Sequence, residues 1–318
     1  LRLLLDGLNE VAKATADDAL ARKALKRIAE CRRGSAVSGI GLRLMAAGDS
    51  AKTIQDGRWY YELVRSIGET TPDKELEAKG WLKLGGLFYK NGREKESIPS
   101  FERALLLSRE LGDRIAQAAI LVILGQAYSA DNQNIKAIKL YEQALEISTQ
   151  NKDRKHQGDA LTGLAPSYFL LGEKEKGLRF AELALPVLAD LDAKDSMADM
   201  LRFLGGGYKE IFEDEKALHY YLLALPVLRD LNDRQGLAHT LRHIGGLTSA
   251  AGRPADAGAL AYLSEAVEIS RKLPERKIEA QALLTYGLTL VASSRLDEGL
   301  QSLEQALEIA RKVGDGAL

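Results

Sequence analysis

Two histidines, His239 and His243, stand one helical turn apart in "LAHTLRHIGG". That spacing puts two imidazoles on one side of a helix. Two such rings can ligate a metal, but a hydrolytic zinc site of this kind also carries a Glu after the first His and a third ligand elsewhere. Here Thr240 follows His239 and no Cys or carboxylate completes a set, so the pair reads as surface-lining, with no metal or cofactor implied. Arg202, Lys209 and Arg242 are the neighbouring cations, and a guanidinium holds a carboxylate or phosphate by two hydrogen bonds. These residues therefore suggest anion recognition rather than bond making. Glu213, Asp214 and Glu215 form the densest acidic run, at the start of a predicted helix, where the dipole favours negative charge. The remaining histidines, His156 and His219, join no catalytic constellation.

Composition is that of a folded, soluble chain rather than a disordered one. Of 318 residues, 46% are hydrophobic and 28% charged, and 44 basic side chains face 45 acidic ones for a net charge of −1. No global field favours nucleic acid or an anionic membrane. Cys31 is the lone cysteine, which fits a reducing compartment and, with it, a cytoplasmic location. No apolar run approaches the roughly 20 residues of a membrane helix, and no signal peptide is visible. The absent initiator Met and the ending "KVGDGAL" read as those of a fragment.

The elements that position these residues are repeats. Gly85, Gly125, Ala165, Gly205 and Gly245 lie on a 40-residue grid, and Gly287 follows after a two-residue insertion within "PADAGALAYLSEA". Phe88, Tyr128, Tyr168, Tyr208, Thr248 and Leu290 stand three residues later. A second register runs through Ala104, Ala144, Ala184, Ala224, Ala266 and Ala306. Apolar spacing within a unit is helical, as at Leu121, Leu124, Gly125 and Tyr128. Each unit thus reads as helix A, turn, helix B, turn. Gly92, Gly172 and Gly252 suit the left-handed end of helix A; Asp73, Asp113, Asp153, Asp233 and Asp315 suit the N-cap of the next unit. Pro186 and Pro226 recur inside "LALPVL" of two successive B helices, where a bend is expected.

These positions resemble the tetratricopeptide repeat. "WLKLGGLF" carries the family's Trp-x-x-Leu-Gly-x-x-aromatic pattern as Trp81, Leu84, Gly85 and Phe88, and Ala217, Tyr221 and Ala224 match its helix B. The family's usual period is about 34 residues; the longer period is similar to that of kinesin light chains and bacterial multi-repeat scaffolds. The resemblance implies an all-α, right-handed superhelical solenoid of antiparallel helix pairs, with helix A lining a groove. Six repeats are expected at 79–118, 119–158, 159–198, 199–238, 239–280 and 281–318, after a divergent repeat at 39–78 and a helical segment at 1–38. Relatives with long repeats place paired asparagines on the groove to clamp a peptide backbone; here every such pair is replaced.

The resemblance points to a non-enzymatic scaffold that binds a peptide or helix of a partner protein, one with an acidic segment, rather than nucleic acid or membrane. The candidate contacts are Lys83, Tyr89, Phe169, Arg202, Phe203, Lys209, His239, Arg242 and His243. A second expectation comes from "LRLLLDGLNEV", residues 1–11, which resembles the Mg²⁺-side motif of NACHT-type ATPases. On that reading the chain is a sensor segment of a larger bacterial signalling protein, fused to such an ATPase or to a caspase-like protease. No phosphate-binding G-x-x-x-x-G-K-[ST] loop accompanies the motif, so no ATPase activity is expected here.

Overall fold

The computed structural model describes residues 34–250 and 257–314; the segment 1–33, Gly252 and Asp315 lie outside them. Fourteen α-helices and no strand occur among the described residues. In chain order they are α1 (Gly34–Asp49), α2 (Ile54–Thr70), α3 (Lys74–Lys90), α4 (Glu94–Glu110), α5 (Arg114–Ala130), α6 (Asn134–Gln150) and α7 (Arg154–Leu170), followed by α8 (Lys174–Asp190), α9 (Lys194–Glu210), α10 (Asp214–Asp230), α11 (Arg234–Ala250), α12 (Ala257–Ser270), α13 (Arg276–Ala292) and α14 (Leu296–Val313). The chain divides into two compact units, with the boundary inside α7 between Gly163 and Leu164. In each unit, odd-numbered helices are A helices and even-numbered ones B helices, and consecutive helices pack antiparallel.

The turns explain the regular length. From α2 to α10 each helix has 17 residues and each connection three. The middle connecting residue is left-handed, and the N–H of the third donates to the carbonyl five residues back, as Arg93 does to Phe88 and Glu213 to Tyr208. This cap occupies carbonyls that a helix end would leave bare. The turn from B to A adds a side-chain cap: Asp73, Asp113, Asp153 and Asp233 accept from Leu76, Ala116, His156 and Gly236 N–H at 2.9–3.2 Å. Acidic residues at 214 and 215 do open α10.

The core follows from the small residues. A methyl group on Gly85 would come within 2.6 Å of Phe101; on Gly125, 2.7 Å from Tyr141; on Gly205, 2.7 Å from Tyr221. Each glycine therefore receives the large B-helix side chain found 16 positions later. Gly287 receives Leu303 in the same way, and Gly245 receives Leu263, which places the two extra residues between 245 and 263. The B-helix alanines Ala104, Ala144, Ala184, Ala224 and Ala266 are wholly buried. In the divergent first pair, Gly48 takes the ring of Tyr61. Helices α8 and α10 run through Pro186 and Pro226 with unchanged length, and both prolines face solvent, where water can satisfy the carbonyl that the ring frees.

A cationic cleft on the A helices of the second unit

Three adjacent glycines in α9, Gly205, Gly206 and Gly207, shape the site. Gly205 seats Tyr221 of α10. A methyl group on Gly207 would lie 2.5 Å from Leu178 and 2.9 Å from Phe169. Gly206 is different: its nearest neighbour would be the Tyr221 hydroxyl at 3.6 Å, so it opens space rather than admitting a core side chain. Above it lies a cleft of about 660 Å³ lined by Asp199, Arg202, Phe203, Gly206, Lys209 and Glu210 of α9, Tyr221 of α10, and His239 and His243 of α11.

One wall is aromatic. Phe169 meets Phe203 edge-on at 5.3 Å, and Tyr221 lies parallel to His243 at 5.1 Å, with His239 4.6 Å from the same imidazole. The other wall carries polar nitrogens that lack partners. Arg202 Nε and His239 Nδ1 are buried without a partner. The Arg202 Nη1 atom lies only within long ion-pair range of Asp199 (3.7 Å) and Asp233 (3.9 Å), and Asp233 already caps α11. Among the described residues, no carboxylate pairs with Lys209 or Arg242. Instead both approach His243: Arg242 Nη2 is 2.9 Å from Nε2 and Lys209 Nζ is 3.4 Å from Nδ1. A neutral imidazole accepts at one nitrogen only, so one of those two cations is left without an acceptor.

Electrostatics point the same way. Burial, then Arg242, Arg202 and Lys209, push His239 down to about 4. Burial, then Arg242, His239, Lys209 and Arg202, push His243 to about 2. Both rings are neutral at pH 7. A second metal-like reading fails on the geometry, because both nitrogens of His243 face cations, which repel a metal ion.

The structure thus brings together Phe169, Arg202, Phe203, Lys209, His239 and His243. Arg242 sits behind the cleft, against His243, and does not line it. Lys83 and Tyr89 belong to the first unit. There Lys83 holds Asp49 at 2.7 Å beside a smaller cleft of about 320 Å³, and Tyr89 is half-buried. Tyr221 and Asp199 are lining residues that groove position on helix A does not reveal. The signal for Tyr221 is the pairing of its B-helix position with Gly205.

Residues 76–150 match the tetratricopeptide repeat family. No curated protein sequence matches the chain. Among solved structures, BtubC (BKLC) from P. vanneervenii is 22% identical over 71% of this chain and 93% of its own, with a TM-score of 0.57. YrrB, described as a tetratricopeptide repeat protein with an unusual peptide-binding site, is 19% identical over 65% of this chain and 92% of its own, TM-score 0.50. A signal transduction ATPase with numerous domains from Pyrococcus horikoshii, which has a tetratricopeptide repeat sensor, is 13% identical with a TM-score of 0.64; the match covers 96% of this chain and 48% of that one. These likenesses are of fold.

Proposed function

We propose that the chain, a tetratricopeptide repeat protein, is a non-enzymatic cytoplasmic scaffold that binds an acidic segment of a partner protein in the cleft on α9 and α11. The observation that carries this reading is the shortage of acceptors: Arg202 Nε is buried unpaired, and Lys209 and Arg242 share one imidazole. An anionic group entering the cleft would supply what the fold omits, at a favourable 1.5–3 kcal/mol per charged hydrogen bond, roughly. Phe169 and Phe203 offer the apolar anchor that binding hot spots require. Lys83 and Tyr89 are secondary candidates on the A-helix face of the first unit. The peptide-binding description of YrrB supports the mode of binding, by fold.

An array of labelled 12-residue peptides rich in Asp and Glu tests the proposal. The protein should retain acidic peptides over the same peptides with Gln and Asn, and Arg202→Gln with Lys209→Gln should abolish retention while leaving circular dichroism unchanged. Equal retention by that double variant would refute the site. A second reading, the sensor segment of a larger signalling ATPase, is favoured by the fold match to the P. horikoshii protein. An ATPase domain continuous with Leu1 in the genomic reading frame would support it.

A further inference from the structure

The number and arrangement of unmet donors narrow the class of anion. Three groups on two helices are left unmet: Arg202 Nε on α9, His239 Nδ1 on α11, and whichever of Lys209 and Arg242 the single acceptor of His243 does not serve. A side-chain carboxylate offers two oxygens in one plane and a single charge. A phosphate monoester offers three terminal oxygens in a tetrahedron and between 1.5 and 2 negative charges near pH 7, roughly. The acids that line the cleft do not fill this need. Glu210 turns to Lys174 at 3.0 Å, and Asp199 is largely exposed, 3.7 Å from Arg202. Space is available too, since Gly206 leaves the floor bare and about 660 Å³ is open above it.

We infer that the anchoring group of the partner is a phosphorylated side chain, held by Arg202, Lys209 and His239 with its carbon stem against Phe203. This rests on the peptide-binding reading above and specifies its ligand. His239 would adopt the tautomer with the proton on Nδ1, and His243 would be freed to accept from Arg242 alone once the phosphate takes Lys209. Each unmet donor then has an acceptor.

The test uses the full chain and three degenerate fluorescein-labelled peptide pools, identical except for a central phosphoserine or phosphotyrosine, Glu, or Ser. Fluorescence anisotropy should show a phosphorylated pool bound at least about tenfold tighter than the Glu pool, equivalent to about 1.4 kcal/mol. Inorganic phosphate should compete. Gly206→Phe, which fills the cleft from an open position, and Lys209→Met should each remove the preference. Equal or tighter binding of the Glu pool overturns the phosphate assignment and leaves the acidic-segment reading intact. Failure of every pool overturns both. Vesicles of phosphatidylcholine with phosphatidate separate a lipid source: binding to them in preference to the phosphopeptides also overturns the inference.

Discussion

At the scale of the residue, Gly205, Gly206 and Gly207 have the same chemistry and three different tasks. Gly206 lies in mid-helix with open space beside it, so Gly206→Ala should stabilise the protein by about 0.5–1 kcal/mol through helix propensity alone. Gly205→Ala should destabilise it by about 1–3 kcal/mol, because the new methyl overpacks Tyr221. Urea denaturation of the two variants reads both signs, and a loss of stability at Gly206 would contradict the open floor. The sequence alone separates these glycines poorly. Position relative to the repeat assigns Gly205 to the core and Gly206 to the groove, but nothing in the string marks Gly207 as the seat of Phe169 and Leu178. Lys83 shows a related limit. It occupies a groove position like Lys209, yet Asp49, 34 residues upstream, neutralises it. Pairings between units lie outside any single-unit pattern.

At the scale of the element, the sequence beats at 40 residues while the backbone beats at 20. Helices A and B share a length and a turn, but the small and aromatic positions differ between them, so only the longer period is visible in residue types. The left-handed turn position is legible where glycine holds it, as at Gly92 and Gly172, and hidden where Asn132, Lys152, Asp192, Phe212 and Ser294 do. Phe212 holds it with no return: its φ is 62° and the residue is 91% exposed, so it gains no burial there. Left-handed geometry costs an ordinary residue about 1–2 kcal/mol. Phe212→Gly should therefore raise stability by about 1 kcal/mol, read as a higher urea midpoint with unchanged slope. A lowered midpoint would mean that the ring makes stabilising contacts not evident in its exposure. The Asp caps, by contrast, were legible, because an N-cap depends on side-chain chemistry that the residue name states.

At the scale of the molecule, the helical class and the stacking follow from the spacing of apolar and small residues, whereas the cleft depends on how neighbouring helices meet. Its histidines give the whole fold a pH dependence. In the unfolded chain His239 and His243 titrate near 6.5; in the folded one burial and Arg242 hold them near 4 and 2. Depressed folded values for a base mean that stability is full above about pH 6.5 and falls as pH drops, because the unfolded chain takes up the protons first. Discounted for the solvent-facing side of the cleft, the pair should lower stability by about 2 kcal/mol between pH 7 and 5. Changing both to Gln should flatten the difference in urea denaturation at the two pH values; an unaltered slope would assign the effect elsewhere. The three-residue turns carry a last consequence, for the order of events in folding. The cleft is built almost wholly from three successive helices, residues 194–230 and 234–250, and none of its partners is remote in sequence. Chains dominated by such short-range contacts fold quickly, in microseconds to milliseconds, roughly. The cleft can therefore assemble once helices α7 to α12 have emerged, so a ligand could meet a finished site on a chain whose helices α13 and α14 are still being made.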